Sequence, residues 1–100
     1  MLQLTSAAAA QVVRVRQTQG LPDSVGLRVF GRPRPEGGMA VTLSFTDLPA
    51  GDDMVTEQEA VRMFVAPEVA YELSTAAIDV EPGPGGAKLV LTRQVPDEGP

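Results

Sequence analysis

A chain of 100 residues with 43% apolar and 21% charged side chains has the composition of one globular domain. Its 13 carboxylates outnumber 8 basic side chains, and the net charge of −5 argues against nucleic acid or anionic membrane as general partners. Cysteine and histidine are both absent, which excludes disulfides, thiol nucleophiles, zinc fingers and imidazole acid–base chemistry.

Residues 4–19 carry a helical pattern, in which Leu4, Ala8, Val12 and Val15 share one face with Ala9 at its margin. Thr5 is placed to cap the first turn, Arg14 and Arg16 suit the C-terminal end of the helix dipole, and Gly20 can supply the left-handed residue that ends it. The run Ala7 to Ala10 is not a signal peptide, since no basic segment precedes it and both arginines fall inside the apolar stretch. Nor does any apolar run approach the roughly 20 residues of a membrane span, and the expected location is cytoplasmic.

Beyond Gly20 the period changes to two. Leu27 and Val29 alternate with Arg28 and Phe30; Val41, Leu43 and Phe45 with Thr42, Ser44 and Thr46; Val61, Met63 and Val65 with Arg62 and Phe64. Each reads as a strand with one face in the core. Residues 54–57 form a weaker strand, joined to Val61 by a tight turn. Pro67 suits a first helical position, and residues 67–74 read as a short helix burying Val69 and Leu73. Ile78 and Val80 begin another strand, the Pro- and Gly-rich residues 82–86 turn the chain, and residues 88–93 return with Leu89 and Leu91 on one face. The expectation is a single α+β domain over residues 1–95, its β core mixed or antiparallel, with an N-terminal amphipathic helix and a second short helix. Residues 96–100 offer nothing to bury and are expected to be a disordered tail.

Several residues together resemble a known family. Leu4-Thr5-x-x-Ala8-Ala9 is similar to the first-helix signature of the HesB-like, A-type iron–sulfur carriers, and Leu27-Arg28-Val29 to their first core strand. Gly38-Met39-Ala40-x-x-Leu43-x-Phe45-x-Asp47-x-Pro49 resembles their second strand and the acidic turn after it. Asp53-x-Val55, Val61-x-x-x-Val65, Leu73 and Ile78-Asp79 keep the same order and spacing. The resemblance implies a HesB-like fold and three cluster-ligating cysteines. It puts the first cysteine in the loop before the second strand, where this chain has Pro35-Glu36-Gly37-Gly38 with Glu36 at the ligand position. It puts the other two in a Cys-Gly-Cys tail, for which Val90, Leu91, Thr92 and the residues to Pro100 give no counterpart.

Thiolates, and occasionally imidazoles, hold iron–sulfur clusters, and a lone hard carboxylate at Glu36 cannot. The reading is therefore a degenerate, cysteine-free and acidic member, non-catalytic and without a cofactor. It holds no cluster on the isolated chain and acts through a protein partner or by self-association. The candidate partner-binding loop comprises Arg32, Arg34, Glu36, Gly37 and Gly38. The alternative is a carboxylate-based metal site at the Glu36 loop.

Other constellations read as ordinary structure. Arg28, Arg32 and Arg34 read as a solvated strand end and loop, and Asp52, Asp53, Glu57 and Glu59 as a solvated turn and strand edge, since their spacing matches no calcium loop. Residues 82–86 lack the Lys-Ser/Thr end of a phosphate-binding loop. Met39, Met54 and Met63 fall at apolar strand positions and read as packing. Tyr71 and Lys88 have no partner in sequence that would make either a catalytic acid or base.

Overall fold

The computed structural model describes residues 1–93, so the expected tail at 96–100 lies outside the described residues. In chain order the elements are β1 Gln3–Leu4, α1 Ser6–Gln19, β2 Gly26–Pro33, β3 Met39–Thr46, β4 Met54–Gln58, β5 Val61–Val65, α2 Pro67–Ala70, β6 Ala76–Glu81 and β7 Lys88–Arg93. They build two sheets, ordered β1-β6-β7 and β3-β2-β5-β4. The pairs β1–β6 and β2–β5 are parallel and the others antiparallel, giving the mixed, strand-dominated α+β architecture expected from the sequence.

Leu4 belongs to β1 rather than to the helix. Thr5 is still extended, and its N–H donates to the Ile78 carbonyl at 3.0 Å, which carries the β1–β6 pairing up to the cap. The Thr5 hydroxyl accepts from Ala8 N–H at 3.1 Å and donates to Asp79 Oδ1 at 2.9 Å, so one side chain both caps α1 and ties it to β6. Gly20 ends the helix at φ 66°, with the Leu21 N–H returning to the Arg16 carbonyl at 2.8 Å. Ala8, Ala9 and Val12 are buried against β5, β6 and β7. Arg16 lies in the last turn, as the dipole reading expects, and is only 8% exposed; its Nη1 donates to the carbonyls of Asp23 and Val25 at 2.7 and 3.0 Å.

The core joins α1 to β2, β5 and β6, with Val12, Leu27, Val29, Val61, Met63 and Ile78 fully buried. Each such side chain contributes on the order of 1.5–3 kcal/mol by leaving water. Phe64 alternates away from this cluster yet is also buried, beside Val55 and Arg28 in the strand register. The short helix is four residues instead of eight. Its turn continues irregularly through the Leu73 N–H to Val69 carbonyl bond at 3.0 Å, which keeps Val69 and Leu73 buried.

β3 departs most from expectation. Met39, Val41 and Phe45 remain 45%, 39% and 37% exposed, because β3 is the edge of its sheet and α1 packs on β5, β6 and β7 instead. Of the methionines, Met63 is packed, whereas Met39 and Met54 are exposed. Among the described residues no helix is long and apolar enough to cross a membrane.

Candidate functional site

The candidate loop is the tip of the β2–β3 hairpin. Pro33, which has no N–H, faces Met39 at the last strand position, and residues 34–38 reverse the chain. The Arg34 N–H donates to the Gly38 carbonyl at 3.1 Å and the Gly37 N–H to the Arg34 carbonyl at 3.0 Å. Gly37 and Gly38 take φ values of 104° and 79°, a conformation that glycine adopts without steric cost. The base of the hairpin is fixed by the Gly31 N–H, which donates to Glu68 Oε2 at 3.2 Å. A Cβ on Gly31 would stand 3.0 Å from the Met39 sulfur and 3.2 Å from Glu68 Cγ, so the fit there is tight.

Arg32, Arg34, Glu36, Gly37 and Gly38 are thus brought together at one exposed turn. Arg32 lies over the Phe30 ring at 5.9 Å. Glu36 makes no side-chain hydrogen bond or ion pair within the described residues, and no three Asp, Glu, His or Cys side chains there gather closely enough to hold a metal ion. The donor set does not fit an iron–sulfur cluster, because the whole sequence contains neither a thiolate nor an imidazole.

The other basic and acidic clusters are split by the fold. Arg28 leaves the arginine group and forms a two-pronged pair with Asp53, Nε to Oδ2 at 2.7 Å and Nη2 to Oδ1 at 3.1 Å. It also sits 4.6 Å over the Phe30 ring. Asp53, read as solvated, has a side chain only 1% exposed and accepts a further bond from Ala50 N–H at 2.9 Å. The Arg28 hydrogen bonds hold its carboxyl below the ordinary carboxylate range, against an opposing push from burial. Asp52, Glu57 and Glu59 stay exposed as expected.

Two surface grooves are apolar. One, of about 290 Å³, runs between α1 and β3 past Gln11, Val15, Leu43, Phe45, Lys88 and Leu89. The other, of about 260 Å³, is lined by Met1, Leu2, Met54, Val65, Ala70 and Tyr71 among others. Neither brings two carboxylates together, so neither offers an acid–base pair.

With helix, two sheets and hairpin in this arrangement, the chain has the HesB-like fold. IscA, in a crystal structure with its [2Fe-2S] cluster, aligns at a TM-score of 0.73 with 24% identity, over 93% of this chain and 85% of that one. Escherichia coli SufA, described as involved in the biosynthesis of iron–sulfur clusters, aligns at 0.75 with 21% identity, over 92% and 79%. A protein from Aquifex aeolicus solved in solution aligns at 0.66 with 19% identity, over 92% and 90%. No family model and no curated protein matches the sequence.

Two structural features lie beyond what the sequence pattern showed. Gln58 uses its amide to bridge β1: Leu4 N–H donates to Oε1 at 2.8 Å and Nε2 donates to the Leu2 carbonyl at 2.9 Å. Nothing in the sequence links residues so far apart. The Arg28–Asp53 pair carried a faint signal, an arginine on an apolar strand and an aspartate before another, but not their pairing.

Proposed function

We propose that this chain is a non-catalytic, cytoplasmic protein-binding module, linked to or derived from iron–sulfur cluster assembly, that does not itself ligate a cluster. One observation carries the reading: a HesB-like fold combined with a sequence that has no cysteine and no histidine. The hairpin tip supports a binding role. It displays Arg32, Arg34 and Glu36 on a backbone already fixed by two hydrogen bonds, so docking there requires little further ordering.

The test has two arms. Anaerobic incubation with ferrous iron and sulfide should leave the purified chain colourless, and a stoichiometric, chromophoric cluster would refute the proposal. Affinity capture from the native cell should recover cluster-assembly proteins with the wild-type chain and lose them with an Arg34→Glu, Glu36→Arg double variant. Recovery undiminished by that variant would remove the hairpin tip from the proposal.

A further inference from the structure

Charge is unevenly divided along this chain. Residues 1–34 hold five arginines and one carboxylate, Asp23, whereas residues 35–87 hold ten carboxylates and one basic side chain, Arg62. The acidic excess therefore falls on the elements from β3 to β6. Asp53 is balanced by Arg28, but Asp52, Glu57, Glu59 and Glu72 are exposed and form no ion pair among the described residues.

The apolar groove of about 260 Å³ is lined mostly from this acidic stretch. Leu2 and Val65 line it as buried residues, while Met1, Met54 and Tyr71 stand open around them, 55%, 49% and 88% exposed. Single exposed apolar side chains are ordinary, but three converging on one groove mark a surface that binds. Asp52 and Glu72 are close neighbours in the chain of Met54 and Tyr71, whereas Arg62 lies towards the far end of β5, opposite Glu57. The Met1 amino group, the one cationic group among the lining residues, donates to the Ser74 carbonyl at 3.0 Å. The groove thus offers side-chain packing rather than main-chain hydrogen bonds, which suits a helix better than an added strand.

We propose that this groove binds a basic amphipathic helix of another protein, with bulky apolar side chains seated between Met54 and Tyr71 and lysines or arginines beside Asp52 and Glu72. A cavity of about 150 Å³ holds a benzene ring, so the groove has room for one or two such side chains. The two flexible methionines in its wall can adapt to their shape. A second copy of this chain facing the same groove would bring the same carboxylates, and like charge disfavours it. The groove shares no residue with the hairpin tip, so it binds whether or not the tip does.

The probe is a peptide of about 14 residues with leucine and lysine at helical spacing, added to wild-type protein labelled at its methionine methyl groups. The Met1 and Met54 signals should shift saturably, with Met39, on the far edge of the sheet, unmoved. The same peptide with glutamate in place of lysine should not bind. Tyr71→Ala and Met54→Ser should each weaken binding by about tenfold without changing the circular dichroism. Asp52→Lys combined with Glu72→Lys should do likewise and flatten the salt dependence. Asp47→Lys combined with Glu59→Lys, an equal change of charge at the opposite end of the sheet, should have little effect. Any of four results would overturn the proposal: no saturable shift below about 1 mM peptide, Met39 shifting as far as Met54, equal binding of the glutamate peptide, or affinity undiminished in both Tyr71→Ala and Met54→Ser. So would a charge effect no larger at positions 52 and 72 than at 47 and 59. Met54 shifts that grow with protein concentration alone would assign the groove to a second copy and overturn it as well.

Discussion

Replacing Asp53 by alanine should lower stability by about 2–3 kcal/mol near neutral pH. The carboxylate accepts two bonds from Arg28 and one from Ala50 N–H, and its side chain is 1% exposed. Hydrogen bonds involving a charged group contribute roughly 1.5–3 kcal/mol. The loss should stay below the roughly 3–5 kcal/mol for one half of a fully buried pair, since Arg28 is 20% exposed and can rehydrate. For a chain of this length that corresponds to a fall in Tm of about 8–24 °C. The sign of the pH dependence follows from the depressed carboxyl: the stabilisation is fully present above the ordinary carboxylate pKa of about 4 and is lost as pH falls through the lower folded-state value. Urea titrations of wild type and Asp53→Ala, followed by circular dichroism, should therefore converge as pH falls below the ordinary carboxylate range. Asp53→Asn, which keeps an acceptor for Ala50 N–H, should fall between the two. A gap that stays constant from neutral to acid pH would show that the ion pair does not stabilise the fold.

Arg16→Met should cost about 1–3 kcal/mol in urea denaturation by leaving the Asp23 and Val25 carbonyls without their donor, whereas Arg14→Met, at an exposed position, should change stability by less than about 0.5 kcal/mol. Glu59 and Ala60 form the β4–β5 turn with φ values of 52° and 64°, so Ala60→Gly should raise Tm, corresponding to a net gain of about 0.5–1 kcal/mol. Glu36→Ala should leave Tm within about 2–4 °C of wild type, because the side chain is exposed and makes no bond within the described residues.

Local features of the fold were legible wherever they depend on neighbours in sequence. The two-residue period of 41–45 and 61–65, the Thr5 cap and the left-handed Gly20 all involve residues within a turn or a strand of one another. The ordered family pattern then supplied the architecture. What failed depends on distant contacts. Alternation along 39–46 shows that one face is apolar but not whether anything lies above it, so an edge strand reads like a central one. Leu4 continues the helical spacing, yet pairing with Ile78 draws it into a strand. Asp53 looks like any turn carboxylate until Arg28, 25 residues away, is placed against it. The candidate site was legible as a hairpin loop, because Pro35 and the two glycines mark the turn, whereas its electrostatic surroundings were not.

The position of that loop explains why a fold associated with clusters can stand without cluster ligands. Residues 34–38 are all exposed and contribute no side chain to the core, whose buried members come from α1, α2, β1, β2, β5, β6 and the adjoining Leu2, Ala66 and Leu73. Stability therefore puts little constraint on the residue at position 36, while the backbone of the loop is held by its glycines and its own hydrogen bonds. Glutamate can occupy that position at almost no cost in folding. The same geometry preserves a preformed, charged projection at one end of β3. The absence of a thiolate at position 36 and the proposed binding role are thus compatible in one hairpin, since the first concerns a side chain and the second rests on the backbone that presents it.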